Sequence, residues 1–186
     1  EGAELAIETA RLYADLGYLD QAVQVANLFV DSGVVVAMQG PNGRAESPEM
    51  AKSNVAKLKD TPVIVLINEG SASASEIVSG TLQHYGRTGD VNVMVLGQRS
   101  YGKGSVQNVI ELDSGKSALK LTTASYHRPS GKNIHRFPNS KETDDWGVMP
   151  DEGYTVKLGP PEMEEYLNYR RDRDVRLARS GHRLDD

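Results

Sequence analysis

Thr61-Pro62-Val63-Ile64-Val65-Leu66-Ile67-Asn68-Glu69-Gly70-Ser71-Ala72-Ser73-Ala74-Ser75-Glu76 is the stretch that decides the fold. Its unbroken apolar run, rich in β-branched residues, predicts a parallel strand buried on both faces. The small residues after Asn68 make a tight turn, and beyond it Ile77, Val78, Leu82 and Tyr85 fall on one face of a helix reaching Gly86. The unit is strand, tight turn, helix. A second strand over Val91–Leu96 leads through Gly97–Gly104 into Ser105–Leu112 and Ser117–Tyr126, a hairpin pattern turning at Asp113-Ser114-Gly115-Lys116. Upstream, residues 3–31 carry apolar side chains at helical spacing, most clearly Leu19, Ala22, Val23, Ala26, Leu28 and Phe29, with Gly33 placed to end the helix. Val34–Met38 then reads as a strand closed by the turn residues Gln39–Gly43. Downstream come an irregular polar stretch to Asp151, a short strand at Tyr154–Leu158 and a charged helix from Pro160. A crossover unit combined with hairpins predicts an α/β fold with a central sheet flanked by helices.

A chain of 186 residues, 38% hydrophobic and 25% charged, has the composition of one globular domain. Its apolar runs are strand-length, too short to span a bilayer as a helix. The net charge of -5 speaks against a phosphate-backbone partner, and Arg170, Arg171, Arg173, Arg176 and Arg179 alternate with other residues instead of forming a clean patch, so no nucleic acid is expected. The absence of cysteine excludes disulfides, thiolate nucleophiles and cysteine metal sites. No His/Asp/Glu group has metal-ligand spacing, and no cofactor is called for. The chain opens at Glu1 with neither an initiator Met nor a secretory segment, so any export signal is not legible from it.

Two constellations carry chemistry. In Ser71-Ala72-Ser73-Ala74-Ser75-Glu76 a serine stands where a strand turns into a helix, beside helix N-terminal amides able to stabilise an oxyanion, with alanines leaving room for a substrate carbonyl. The same residues also spell a capping box, Ser73 with Glu76 three positions on, and a serine-rich helix start is often only that. The second is Gly97-Gln98-Arg99-Ser100-Tyr101-Gly102-Lys103-Gly104, which nearly matches a phosphate-binding loop. It lacks the Ser or Thr after the lysine, and the next segment alternates like a strand, so the nucleotide reading fails on context. A lysine between glycines can instead be turned into an apolar cleft, where desolvation lowers its pKa until it serves as a base. Tyr101, Val106 and the Ala72–Ala74 turn are the residues expected to enclose it. His84, His127, His135 and His182 are the competing bases, and none sits in a setting that singles it out.

Ser73-Ala74-Ser75-Glu76-Ile77, then Gly102-Lys103-Gly104 and Gln107, resemble the core signature of the C-terminal processing (tail-specific) proteases, Ser/Lys peptidases with a crotonase-like (ClpP/crotonase) core. Further matches are Ser117–Ala124, Pro129–Ile134 and Gly147-Val148-Met149-Pro150-Asp151, so the resemblance spans residues 17–158. It implies Ser73 as nucleophile, Lys103 as general base, Gln107 as the residue positioning the lysine, and an oxyanion hole from the amides of Ala74 and Gly17. Lys103 follows Ser73 by thirty residues, a longer interval than the family's usual one, and Gly86–Val95 is where it is expanded. The family's strand and Asn-Pro-Gly-Gly turn are replaced by Ala14-Asp15-Leu16-Gly17-Tyr18, where only Gly17 matches. The expected organisation is a peptidase core over residues 1–159, atypical at its start and without the family's PDZ domain, followed by a charged helix and tail over 160–186. The resemblance further implies unfolded or tagged protein substrates, an extracytoplasmic location such as the periplasm, and room for a homo-oligomer. Two other readings are a catalytically silent relative binding peptides or hydrophobic ligands in the same cleft, and an acyl-CoA-handling crotonase fold, which has no need of the Ser73, Lys103 and Gln107 set.

Overall fold

The computed structural model describes residues 19–44, 48–112 and 117–179. The chain divides into two compact units, one ending at Thr155 and one beginning at Val156. In the first, helix α1 (Leu19–Asn27) precedes strands β1 (Val34–Gln39), β2 (Glu49–Met50) and β3 (Val63–Ile67), helix α2 (Ala74–Thr88), and strands β4 (Val93–Gly97), β5 (Ser105–Leu112) and β6 (Ser117–His127). The second unit holds helix α3 (Pro160–Arg179), whose start is capped by the Glu162 carboxylate accepting the Gly159 N–H at 2.7 Å.

The helix expected over residues 3–31 is seen as α1 alone; the earlier part of that stretch lies outside the described residues, as does the turn at 113–116. What ends α1 is Asn27, ahead of Gly33. Its buried amide donates to Val30 O at 2.7 Å and Lys52 O at 2.9 Å, and its Oδ1 accepts the Lys52 N–H at 2.9 Å, so the helix exit and a distant loop share one side chain.

Among the described residues there are two sheets where one central sheet was expected. One is four-stranded and antiparallel, in the order β2-β1-β6-β5, and the other is the parallel pair β3-β4. The parallel pair runs in register from Val63 opposite Val93 to Ile67 opposite Gly97, with α2 as the crossover. Of the strand expected at Tyr154–Leu158, what forms is a bridge from Gly97 to Thr155, supported by the Gly97 N–H on Tyr154 O at 3.1 Å.

The main core joins Ala22, Val25, Ala26, Phe29 and Val30 to Val35 and Val36 of β1, Val63 of β3, and Ala74, Ile77, Val78 and Leu82 of α2. The strand β3 departs from its expected burial: Val63 and Ile67 are buried, whereas Ile64 is 59% and Leu66 75% exposed. An uninterrupted apolar run hides the period of two that decides which residues face the core, and here only one face is covered.

Gly97 ends β4 at φ +118, and a Cβ there would lie 2.1 Å from Ile67 O. That combination admits only glycine. Gly97→Ala is therefore expected to destabilise the chain by at least about 2 kcal/mol, measured by urea unfolding. A loss below about 0.5 kcal/mol, the range of an ordinary surface change, would mean that the β4 exit is not fixed as described.

Candidate active site

The turn after β3 is tied by its own polar groups. Ser71 N–H donates to Asn68 O at 2.9 Å, Asn68 N–H to Ser71 Oγ at 3.1 Å, and Gly70 N–H to Asn68 Oδ1 at 2.9 Å. The chain then reverses at Ser73, which has φ +57 and ψ -116. A non-glycine residue held there costs on the order of 1–3 kcal/mol and persists only when its surroundings impose it. Such a strained strand-to-helix turn presents a serine hydroxyl outward.

Ser73 and Glu76 are arranged as a capping box: Glu76 Oε2 accepts the Ser73 N–H at 2.9 Å, and the Ser73 side chain faces the Glu76 N–H without making a full hydrogen bond to the helix. Ala74 opens α2, so its amide has no intrahelical acceptor and lies at the positive end of the helix dipole. Gly17, the other expected oxyanion donor, lies outside the described residues.

Glu76 does much more than cap. It is fully buried. Its Oε1 accepts Ser100 Oγ–H and Gly102 N–H, both at 2.6 Å, and its Oε2 accepts Lys103 N–H at 2.7 Å besides Ser73 N–H. Ser73 and Lys103, thirty residues apart in sequence, thus hang by their amides from one oxygen atom. The sequence reading gave Glu76 a capping role and a place in the Ser73–Ile77 signature, and neither reveals its bonds to the second loop.

The Lys103 loop is held from its other side as well. Gly102 is buried at φ +85, and a Cβ there would fall 2.7 Å from Arg136 Cβ and 2.9 Å from the Trp146 ring. The Arg99 guanidinium stacks 3.4 Å from the centre of that ring and donates to Trp146 O, Glu142 O and Asp144 O. Burial pulls Arg99 below its ordinary pKa, against the opposing pull of Glu142 and Asp145. Burial also pushes Asp145 upward, but its hydrogen bonds with Lys132 and Arg128 outweigh that and leave it below the usual carboxylate range. Tyr101 N–H closes the arrangement by donating to Ser71 O at 2.9 Å.

The expected enclosure of the lysine is not formed: the Lys103 side chain is exposed, the Tyr101 ring is 59% exposed, and no hydrogen bond joins the amine to the Ser73 hydroxyl among the described residues. Gln107 is also exposed, and its amide reaches Thr122 Oγ1 at 3.5 Å instead of the amine. Pairing of Val106 with Ala124 and of Gln107 with Thr122 leaves Thr123 as an extra residue, a bulge beside Gln107 that re-aims the strand. Of the histidines, His84 lies edge-on to Tyr85, and His127 is engaged by Gly131 O at 2.9 Å and Ser125 Oγ at 3.1 Å. His135 lies edge-on to Phe137, and His182 is outside the described residues. Among the described residues no group of three His, Asp or Glu side chains could hold a metal ion.

The profile of peptidase family S41 matches residues 17–152, a span holding both loops. This chain belongs to peptidase family S41. The S41 chain is 39% identical to a carboxy-terminal-processing protease of Bartonella bacilliformis over 85% of its own length and 35% of that relative's. It is 37% identical to a probable CtpA-like serine protease of Staphylococcus aureus, over 64% of this chain and 23% of the relative. Its fold superposes on the photosystem II D1 C-terminal processing protease with a TM-score of 0.62 at 31% identity, covering 79% of this chain and 34% of that one. The S41 chain therefore spans about a third of these relatives' length or less.

The strained turn gives a direct test. Ser73→Gly should stabilise the S41 chain by about 1 kcal/mol in urea unfolding, because relief of an unfavourable φ outweighs the extra backbone entropy of glycine. Ser73→Ala should stay within about 0.5 kcal/mol of the wild type, since the hydroxyl makes no full hydrogen bond to the helix. A Ser73→Ala loss of about 1 kcal/mol with no gain from glycine would assign the serine to ordinary capping.

Proposed function

We propose that this chain hydrolyses peptide bonds near the C-terminus of unfolded or tagged proteins through an acyl-enzyme on Ser73. The observation that carries the reading is the strained Ser73 turn, whose hydroxyl makes no full hydrogen bond to the helix, joined to the Lys103 loop through Glu76. In the reaction the neutral Lys103 amine takes the Ser73 proton as Oγ attacks the scissile carbonyl. The Ala74 amide, with an amide from the Gly17 region, holds the oxyanion. Collapse breaks the C–N bond, and the leaving amine takes its proton from Lys103. Water activated by the same lysine then releases the acyl group from Ser73.

The general-base role calls for Lys103 enclosed, by bound substrate or by further polypeptide, with Gln107 turned from Thr122 toward the amine. The parallel β3-β4 pair with its α2 crossover is consistent with a crotonase-like core. The family resemblance supports an extracytoplasmic location and a homo-oligomer as further parts of this reading. The exposure of Lys103 is the one observation favouring a second reading, a silent relative that binds peptides in the same cleft.

Labelling with a fluorophosphonate, followed by peptide mapping, is expected to place the adduct on Ser73. Lys103→Arg and Lys103→Ala should both lose activity by about 10²–10⁴-fold, since a guanidinium stays charged. His84 and His127 variants should keep most of it. Activity that disappears with one His variant while Lys103→Arg still works would assign the base to histidine. Peptide binding without any adduct would establish the silent relative.

A further inference from the structure

Glu76 lies in the first turn of α2 with no solvent contact, and all four of its hydrogen-bond partners are donors. Each oxygen takes two of them, which fills the accepting capacity of a carboxylate. The four donors come from two stretches of chain: Ser73 on the strained turn, and Ser100, Gly102 and Lys103 on the loop that carries the proposed base. Ser100 extends the connection, because its Oγ donates to Glu76 and also accepts the Val148 N–H at 2.7 Å. The segment at Gly147 is drawn in so closely that a Cβ there would sit 2.8 Å from Ser100 Oγ and 3.4 Å from Glu76 Oε1. Three separate turns therefore meet at one carboxylate.

We infer that Glu76 is a positioning residue for hydrolysis, setting the separation of Ser73 and Lys103 by holding both backbones on Oε2, with Ser100 as its relay to the 147–148 segment. The inference rests on the Ser73/Lys103 reading of the reaction. Glu76 itself touches no reacting atom. Its Oε2 fixes where the nucleophile's Cα and the base's Cα start, and the side chains must cover only the remaining distance. The proximity of Glu76 to Ser73 alone would be met by capping; the bonds to Gly102 and Lys103 are not needed to start a helix.

The test uses Glu76→Gln and Ser100→Ala in the full chain, with Glu76→Ala as the severe case. Glutamine keeps size and one acceptor but turns an NH₂ toward two of the four donors, so one oxygen's pair of bonds is lost. Residue-resolved amide hydrogen exchange should show Ser73, Gly102 and Lys103 protected in the wild type. In Glu76→Gln at least one of these amides should exchange about tenfold faster or more, while Thr81 and Leu82 within α2 keep their protection. With peptide substrate, kcat should fall about 100-fold, the scale of an ångström's misplacement, and KM should change less than about threefold. Ser100→Ala, which removes one donor of four, should fall between Glu76→Gln and the wild type. A merely structural carboxylate would loosen α2 as a whole and leave kcat of the folded fraction unchanged. Wild-type exchange at all three amides in Glu76→Gln, or a kcat within about twofold of the wild type, would overturn the inference. Should the wild type hydrolyse nothing, the proposed reaction fails separately, and the exchange measurement still decides whether Glu76 holds the two loops.

Discussion

One buried carboxylate organises the site region. Removing a charge from water costs several kcal/mol unless polar groups replace the lost hydration. Around Glu76 that replacement comes from three backbone amides and one hydroxyl, with the positive end of α2 adding to it. None of the four donors carries a formal charge, so all of them must be aimed. Aiming them requires the 100–103 loop to fold back onto the helix start, and this single requirement dictates the small residues and sharp backbone of both turns. Gly102 at φ +85, packed against Arg136 and Trp146, is one consequence, and Ser73 at φ +57 is another.

The rest of the first unit presses the loop onto this carboxylate. The guanidinium groups of Arg99 and Arg136 both lie over the Trp146 ring, at 3.4 and 4.5 Å from its centre, and a desolvated cation over a tryptophan face is a strong contact of its kind. Arg99 spends its remaining donors on the carbonyls of residues 142, 144 and 146, which fixes the loop that bears the tryptophan. Backbone positions are therefore rigidly determined where side-chain positions are not. Ser73 and Lys103 are close through their amides, yet the lysine amine and Gln107 are left at the surface. The same contrast holds in β3, where Val63 and Ile67 are buried while Ile64 and Leu66 stand open.

The sequence by itself determined the order of elements around the site, because the strand, small-residue turn and helix from Val63 to Thr88 are written in local chemistry: β-branched residues, then serines and alanines, then a helical apolar face. It also singled out Ser73 and Lys103, through short runs whose joint occurrence is specific, and the family followed from the same residues. Tertiary structure alone decided that Glu76 joins two loops, since its donors at positions 100, 102 and 103 carry no periodic signal and three of the four donors are backbone amides, which every residue but proline possesses. It decided as well that the strands form two sheets, and that β3 has one covered face, because burial depends on what packs against a strand and an all-apolar run fits either outcome. The exposure of Lys103 belongs to the same class: a side chain's environment is made by residues distant in sequence, and no local pattern encodes it.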